Sequence, residues 1–177
     1  AKAQVLDLCE YLHLLVPKYK VGLVTYDDGV QVKFPLTQDY PSLKKRLEGV
    51  KAVGGGDEPE GVDKAIDAAL NEKIGWSRGA RKVLILIGDA PAHPPDVPAM
   101  LERVEKAANE GWVVNGIDVG KGRSQFSSIA KAGKGIAVSA GGPELVQQML
   151  ILSLGDEHRK ALEGFVDVIR KVREKPA

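Results

Sequence analysis

The residues best placed to do chemistry lie between Arg81 and His93, in RKVLILIGDAPAH. Five unbroken apolar residues, Val83 to Ile87, run directly into Gly88 and Asp89. Such a run predicts a strand buried on both faces, of the kind found in parallel α/β sheets. Ligands of these sheets bind just beyond the carboxyl ends of the strands, which is where Asp89 falls. Asp89 and His93 together suggest a metal pair or an acid–base dyad; the plainer reading of His93 is a loop residue in the Pro-rich turn Pro91–Pro98. Three more carboxylates, Asp57, Glu58 and Glu60, surround Pro59. There Asp57 reads as a helix cap, and Glu58 and Glu60 as partners of the positive end of a helix dipole.

Other chemistries find less support. Gly54-Gly55-Gly56 follows a helical stretch and lacks the third glycine of a dinucleotide loop, since Pro59 stands there. Gly120-Lys121-Gly122-Arg123-Ser124 has the strand-to-helix context of a phosphate loop, but two residues separate its lysine from the serine. It reads better as an ordinary connection. The chain contains neither G-x-S-x-G nor H-E-x-x-H. His13 and His158 fall on helical segments with no partner set near them in sequence, and Cys9 sits among apolar neighbours as a buried small hydrophobe.

The totals narrow the classes. With 177 residues the chain is one domain able to bury a sizeable core. A formal net charge of +1, with no basic cluster interleaved with aromatics, argues against nucleic acid as a partner. One cysteine excludes an internal disulfide and a multi-cysteine metal site. No apolar run approaches the roughly 20 residues of a membrane span, and no signal peptide is visible. The sequence opens without Met and inside a helical period, so it reads as a piece of something longer.

The elements that position these residues follow from periodicity. Val5, Leu8, Cys9 and Leu12 predict a helix that Pro17 stops. Residues 21–26 (VGLVTY) predict a strand, Asp27-Asp28-Gly29 a hairpin turn, and residues 30–34 an edge strand with one wet face. A short helix opens at Pro41-Ser42. A second is expected to begin at Glu58-Pro59-Glu60, with Val62, Ile66, Ala69 and Leu70 inward. After the strand at 83–87 come a helix from Pro98, a strand at 112–119, a helix at 124–132, a strand at 136–139 and a helix at 143–154. An amphipathic helix at 157–175 closes the chain, with Leu162, Phe165, Val166, Ile169 and Val172 on its stripe. Such alternation predicts a parallel sheet between two helical layers, with one antiparallel edge strand.

Four pieces taken in order, VGLVTYDD at 21–28, GGGDEPE at 54–60, VLILIGDAPAH at 83–93 and WVVNGIDVG at 112–120, resemble a bacterial von Willebrand factor A domain. The resemblance covers nearly all of residues 1–155 and leaves 156–177 as a C-terminal helical extension. It implies a Rossmann-like three-layer α/β/α sandwich with sheet order 3-2-1-4-5-6. It also implies that the central first strand, with the Asp-x-Ser-x-Ser loop that supplies most of a Mg²⁺ site, is missing from this chain and lies upstream in the parent protein. Asp89 matches the aspartate that such sites take from the fourth strand. Glu58 stands where relatives carry a threonine, and Asp57 is adjacent.

The resemblance therefore implies a non-enzymatic protein-interaction module with a degenerate, MIDAS-like site. Asp89, Glu58 and Asp57 would be its ligands, and Ala90 and His93 would join them on the partner-binding rim. In the intact parent the cofactor would be Mg²⁺; in this chain none is expected to be bound. The partner would be a protein; the location stays open, the resemblance favouring an extracytoplasmic one, periplasmic or cell-surface, with a cytoplasmic one as the alternative. Two alternatives stand beside this: a nucleotide-dependent or hydrolytic enzyme in the same crevice, and an assembly subunit that oligomerises through residues 157–175.

Overall fold

The computed structural model describes residues 2–50, 59–120 and 125–174. Helix α1 (Lys2–Leu15) buries Leu8, Cys9 and Leu12, as its period requires, and ends before Pro17. Strands β1 (Val21–Tyr26) and β2 (Val30–Thr37) form an antiparallel hairpin from Val21↔Thr37 to Tyr26↔Val30. At its turn the Asp27 side chain accepts from the Gly29 amide at 3.2 Å. β2 runs past the expected Phe34 through Pro35, which an edge strand tolerates because it has no ladder bond to lose on its outer side. Helix α2 (Tyr40–Gly49) is capped by Asp39, whose carboxylate accepts from the Ser42 amide at 3.1 Å.

Helix α3 (Val62–Leu70) corrects the expected start at Pro59: Pro59 and Glu60 lie outside it and Gly61 is its N-cap. Glu60 is held in a parallel bridge to Ala92, its amide bonding to the Pro91 carbonyl at 2.9 Å, and the Gly61 amide bonds to the Asp27 carbonyl at 2.6 Å, so the backbone here follows its nonlocal partners and turns into the helix only after Gly61. The inner face is as expected, with Val62, Ile66 and Ala69 buried.

Strand β3 (Lys82–Gly88) is followed by a 3-10 turn at Pro94–Asp96 and helix α4 (Val97–Asn109). Then come β4 (Trp112–Asp118), α5 (Phe126–Ala132), β5 (Lys134–Ser139), α6 (Gly142–Leu154) and α7 (Arg159–Arg173). β3, β4 and β5 form a parallel sheet in that order, with Lys82 opposite Trp112 and Gly88 opposite Asp118. β5 begins two residues before the expected Ile136, because Asn115 of β4 holds it across an irregularity in register. The Asn115 side-chain oxygen accepts from the Ile136 amide at 2.9 Å.

The chain thus has the expected α/β layering, but its strands fall into two sheets. Among the described residues β1 pairs with β2, β3 pairs with β4, and the facing edges of β1 and β3 are joined by no ladder. This is where the resemblance puts a missing central strand. The consequence is visible in burial: every residue of β1 and all of β3 but Leu86 are only half-buried, whereas six of the seven residues of β4 are buried.

One apolar cluster joins α1, α6 and α7 to one face of the strands, through Leu8, Leu12, Leu150, Leu162 and Val166. A second joins α3, α4 and α5 to the other face, through Val62, Ile66, Met100, Val104 and Phe126. α7 lies on α1 and α6: Phe165 meets Tyr11 edge-on with ring centroids 5.4 Å apart, and Arg173 reaches Asp7 at 2.8 Å and Glu10 at 3.0 Å. His13, expected to lack partners, bonds to the Tyr19 hydroxyl at 3.1 Å and stacks on Tyr40. The i to i+6 separation and the distant Tyr40 hid both from a local reading. No described helix is long and apolar enough to cross a membrane.

Candidate functional site

The carboxyl ends of β1, β3 and β4 meet at one edge of the molecule, and each delivers an acid. Asp27 follows β1, Asp89 follows β3, and Asp118 ends β4. Asp89 is exposed at the tip of its strand, as the opening apolar run predicts. It is placed there by β4: the Val119 amide extends the ladder to the Gly88 carbonyl at 2.9 Å, and Gly120 then packs on Asp89 itself. A β-carbon at Gly120 would stand 2.7 Å from that of Asp89 and 3.0 Å from its carbonyl oxygen, so only glycine fits. Asp118, which is buried, fixes the turn by accepting from the Gly120 amide at 2.8 Å.

The loop after Asp89 turns inward before it turns out. Ala90 and Ala92 are buried, and Ala92 bridges to Glu60 in parallel pairing. Half-buried His93 opens the 3-10 turn, its carbonyl accepting from the Asp96 amide at 3.0 Å. Of the expected rim residues, then, Asp89 faces solvent, His93 is partly covered and Ala90 is enclosed. Asp57 and Glu58 lie outside the described residues, as do Gly54–Gly56 and most of the Gly120–Ser124 loop.

Negative charge accumulates at this edge. Burial raises the Tyr26 phenol well above its ordinary range, and the carboxylates of Glu60 and Asp89 push it further the same way. Tyr26 is therefore a neutral donor, and its hydroxyl bonds to the Ile87 carbonyl at 3.1 Å. A shallow cavity of about 300 Å³ continues the edge, lined by Asp118, Gly120, Ser139 and Glu144 among others. A second of about 310 Å³ lies between β2 and α2, among Phe34, Leu36, Asp39 and Arg46, away from the strand ends.

Sequence reasoning missed Tyr26, Asp63 and Asp118 as parts of this region. Asp118 could have been read from the pattern, as the one acid inside the apolar strand at 112–119. Asp63, in the first turn of α3, is buried with one carboxylate oxygen that has no hydrogen-bond partner among the described residues, which no spacing rule reveals. Of the Mg²⁺ ligands that the resemblance implies, Asp57, Glu58 and Asp89, only Asp89 lies among the described residues. No group of three or more His, Cys, Asp or Glu side chains among them could hold a metal ion, and Asp89 and Glu60 do not make a cation site by themselves.

A family model described as von Willebrand factor type A domain matches residues 1–91, more than half of the chain. No curated protein matches it. Among solved structures, a conserved hypothetical protein BatB from Bacteroides thetaiotaomicron is 19% identical with a TM-score of 0.62, over 98% of this chain and 87% of that one. An aerotolerance-related membrane protein from Bacteroides fragilis is 18% identical with a TM-score of 0.57, over 94% and 88%. Proximal thread matrix protein 1 from the mussel byssus, in a structure with a zinc-occupied MIDAS motif, is 18% identical with a TM-score of 0.62, over 85% of this chain and 41% of that one. At such identities the likeness is one of fold.

Proposed function

This chain belongs to the von Willebrand factor type A domain family, and from that premise we propose that it is a non-enzymatic protein-interaction module. Its partner docks across the carboxyl ends of the strands. The observation that carries this reading is the convergence of Asp89, Glu60 and Asp118 from three separate segments on one edge, with Asp89 held outward by the Gly120 contact. An exposed carboxylate on a rigid strand tip, in an acidic surround, suits a basic partner segment and gives charge-assisted hydrogen bonds. Asp57 and Glu58 join it as second-loop contacts, and His93 bounds the rim. No metal is part of this reading. An extracytoplasmic location belongs to it as well, supported by the membrane protein among the structural neighbours.

Panning a random peptide display library against the chain tests the reading. The expected ligands carry lysine or arginine, bind in the presence of a chelator, and lose at least about tenfold in affinity to Asp89→Ala, a loss typical of a charge-assisted contact. Ligands indifferent to Asp89→Ala and to Glu60→Gln, with thermal stability unchanged, would overturn it.

A further inference from the structure

We propose that the edge of the molecule opposite Asp89, where β1 and β3 begin, is a docking surface for an anionic lipid bilayer. This goes beyond the protein contact at the strand ends. The formal net charge of +1 conceals an uneven distribution. β1 and β3 end together, as the Tyr26–Ile87 hydrogen bond shows, and are of similar length, so their amino ends share the other edge. The carboxyl edge gathers Asp27, Asp89 and Asp118. The two segments that lead into β1 and β3 are residues 13–20 and 72–82. Together they carry Lys18, Lys20, Lys73, Arg78, Arg81 and Lys82 against Glu72 alone.

The fold brings these two segments side by side. A β-carbon at Gly75 would stand 3.8 Å from the Leu36 carbonyl oxygen, and the next residue, Thr37, pairs with Val21, which follows Lys20. Aromatic packing holds the second segment in place. Trp76 meets Trp112 edge-on with ring centroids 4.6 Å apart, and its indole N–H donates to the Ala69 carbonyl at 2.8 Å. The Lys82 ammonium stands over the Trp112 ring, 4.7 Å from its centroid. Lys18, Lys20, Lys73, Arg78 and Arg81 are exposed, and none of the six cations forms an ion pair among the described residues.

An apolar component selects a lipid surface over a soluble polyanion. Leu14 and Leu15, at the end of α1, are 60% and 38% exposed and are the only exposed leucines among the described residues. They stand directly before the turn that carries Lys18 and Lys20. A nucleic acid or an acidic peptide would reward the cations and leave the leucines in water. A bilayer rewards both: the leucines enter the boundary between headgroups and acyl chains, and the cations stay level with the phosphates. Docked in this way, the molecule turns its carboxyl edge, with Asp89, away from the membrane.

The test is co-sedimentation of the 177-residue chain with vesicles of phosphatidylglycerol and phosphatidylcholine, and with vesicles of phosphatidylcholine alone. The expected result is binding to the anionic vesicles only, weakening as salt is raised. Lys18→Gln combined with Lys20→Gln should weaken it about twentyfold, at about fivefold for each cation near a charged bilayer. Leu14→Ser combined with Leu15→Ser should weaken it about tenfold. Lys171→Gln should leave it unchanged, because α7 reaches the carboxyl edge there, where Arg170 bonds to the Pro143 carbonyl. All five substituted side chains are exposed, so each variant should unfold at the wild-type temperature. Absence of sedimentation, equal sedimentation with the neutral vesicles, or a loss as large for Lys171→Gln would overturn the proposal. Binding unmoved by the leucine pair would overturn it too, since a surface that needs only the cations is a site for soluble polyanions.

Discussion

The Tyr26 hydroxyl donates to the Ile87 carbonyl at 3.1 Å, joining β1 of one sheet to β3 of the other. The carbonyl belongs to an edge that no described strand pairs, and the phenol is the donor it finds. Tyr26→Phe should therefore lower stability by about 1 kcal/mol, the usual net worth of one such bond. Urea denaturation checks this: the midpoint should fall with an unchanged m-value.

The same contact sets a pH dependence. Burial, and then Glu60 and Asp89, keep the Tyr26 proton on in the folded state, so its folded pKa lies above the unfolded value of about 10. Its contribution to stability is fully present below that unfolded value and is lost as pH rises through the folded one. Burial is also the leading cause of a raised phenol at Tyr11, Tyr19 and Tyr40. Phenolate absorbance should appear at higher pH in the folded chain than in urea. Stability above about pH 10 should fall less steeply in Tyr26→Phe than in the wild type. Coincident folded and unfolded titrations would contradict this.

Asn115 is buried where the β4–β5 register shifts, and it supplies the acceptor that the ladder there lacks. Asn115→Ala leaves the Ile136 amide without that partner. The expected cost is about 1–3 kcal/mol, read by thermal or urea unfolding, with β5 amides exchanging faster than those of β3.

Helix α7 offers a comparison of two kinds of contact. Arg173 pairs with Asp7 and Glu10 in a largely exposed setting, so Arg173→Ala should cost no more than about 1 kcal/mol and less in high salt. Leu162 is buried in the cluster shared with α1 and α6, and Leu162→Ala should cost about 2–5 kcal/mol. Calorimetry would distinguish them, and equal losses would mean that α7 is held by charge and not by packing.

Cys9 is fully buried, and burial pushes its thiol up to about 11. At neutral pH it is a thiol and not the reactive thiolate. A thiol reagent should leave the native chain unmodified and react fully on unfolding; rapid native reaction would show that α1 opens locally.

How much was legible in the sequence depended on the range of each signal. The run at Val83–Ile87 needs only its own composition to read as a buried strand, and Asp89 follows from it directly. The start of α3 was misplaced because local rules reward Pro59 and its flanking acids, while Asp27 and Pro91, distant in sequence, claim the amides of Gly61 and Glu60. His13 and Tyr40 meet for the same nonlocal reason.

The sequence by itself determined the order and type of the elements, the apolar faces that build the two main clusters, and the strand that ends at Asp89. Hydrophobic period and turn chemistry are local properties, and they suffice for these. The resemblance carried by its motifs already placed a break between β1 and β3; only the tertiary structure decided that Tyr26 bonds to Ile87 across it and that Gly120 presses on Asp89. Each of these depends on segments remote along the chain being brought together, and no local pattern encodes that approach.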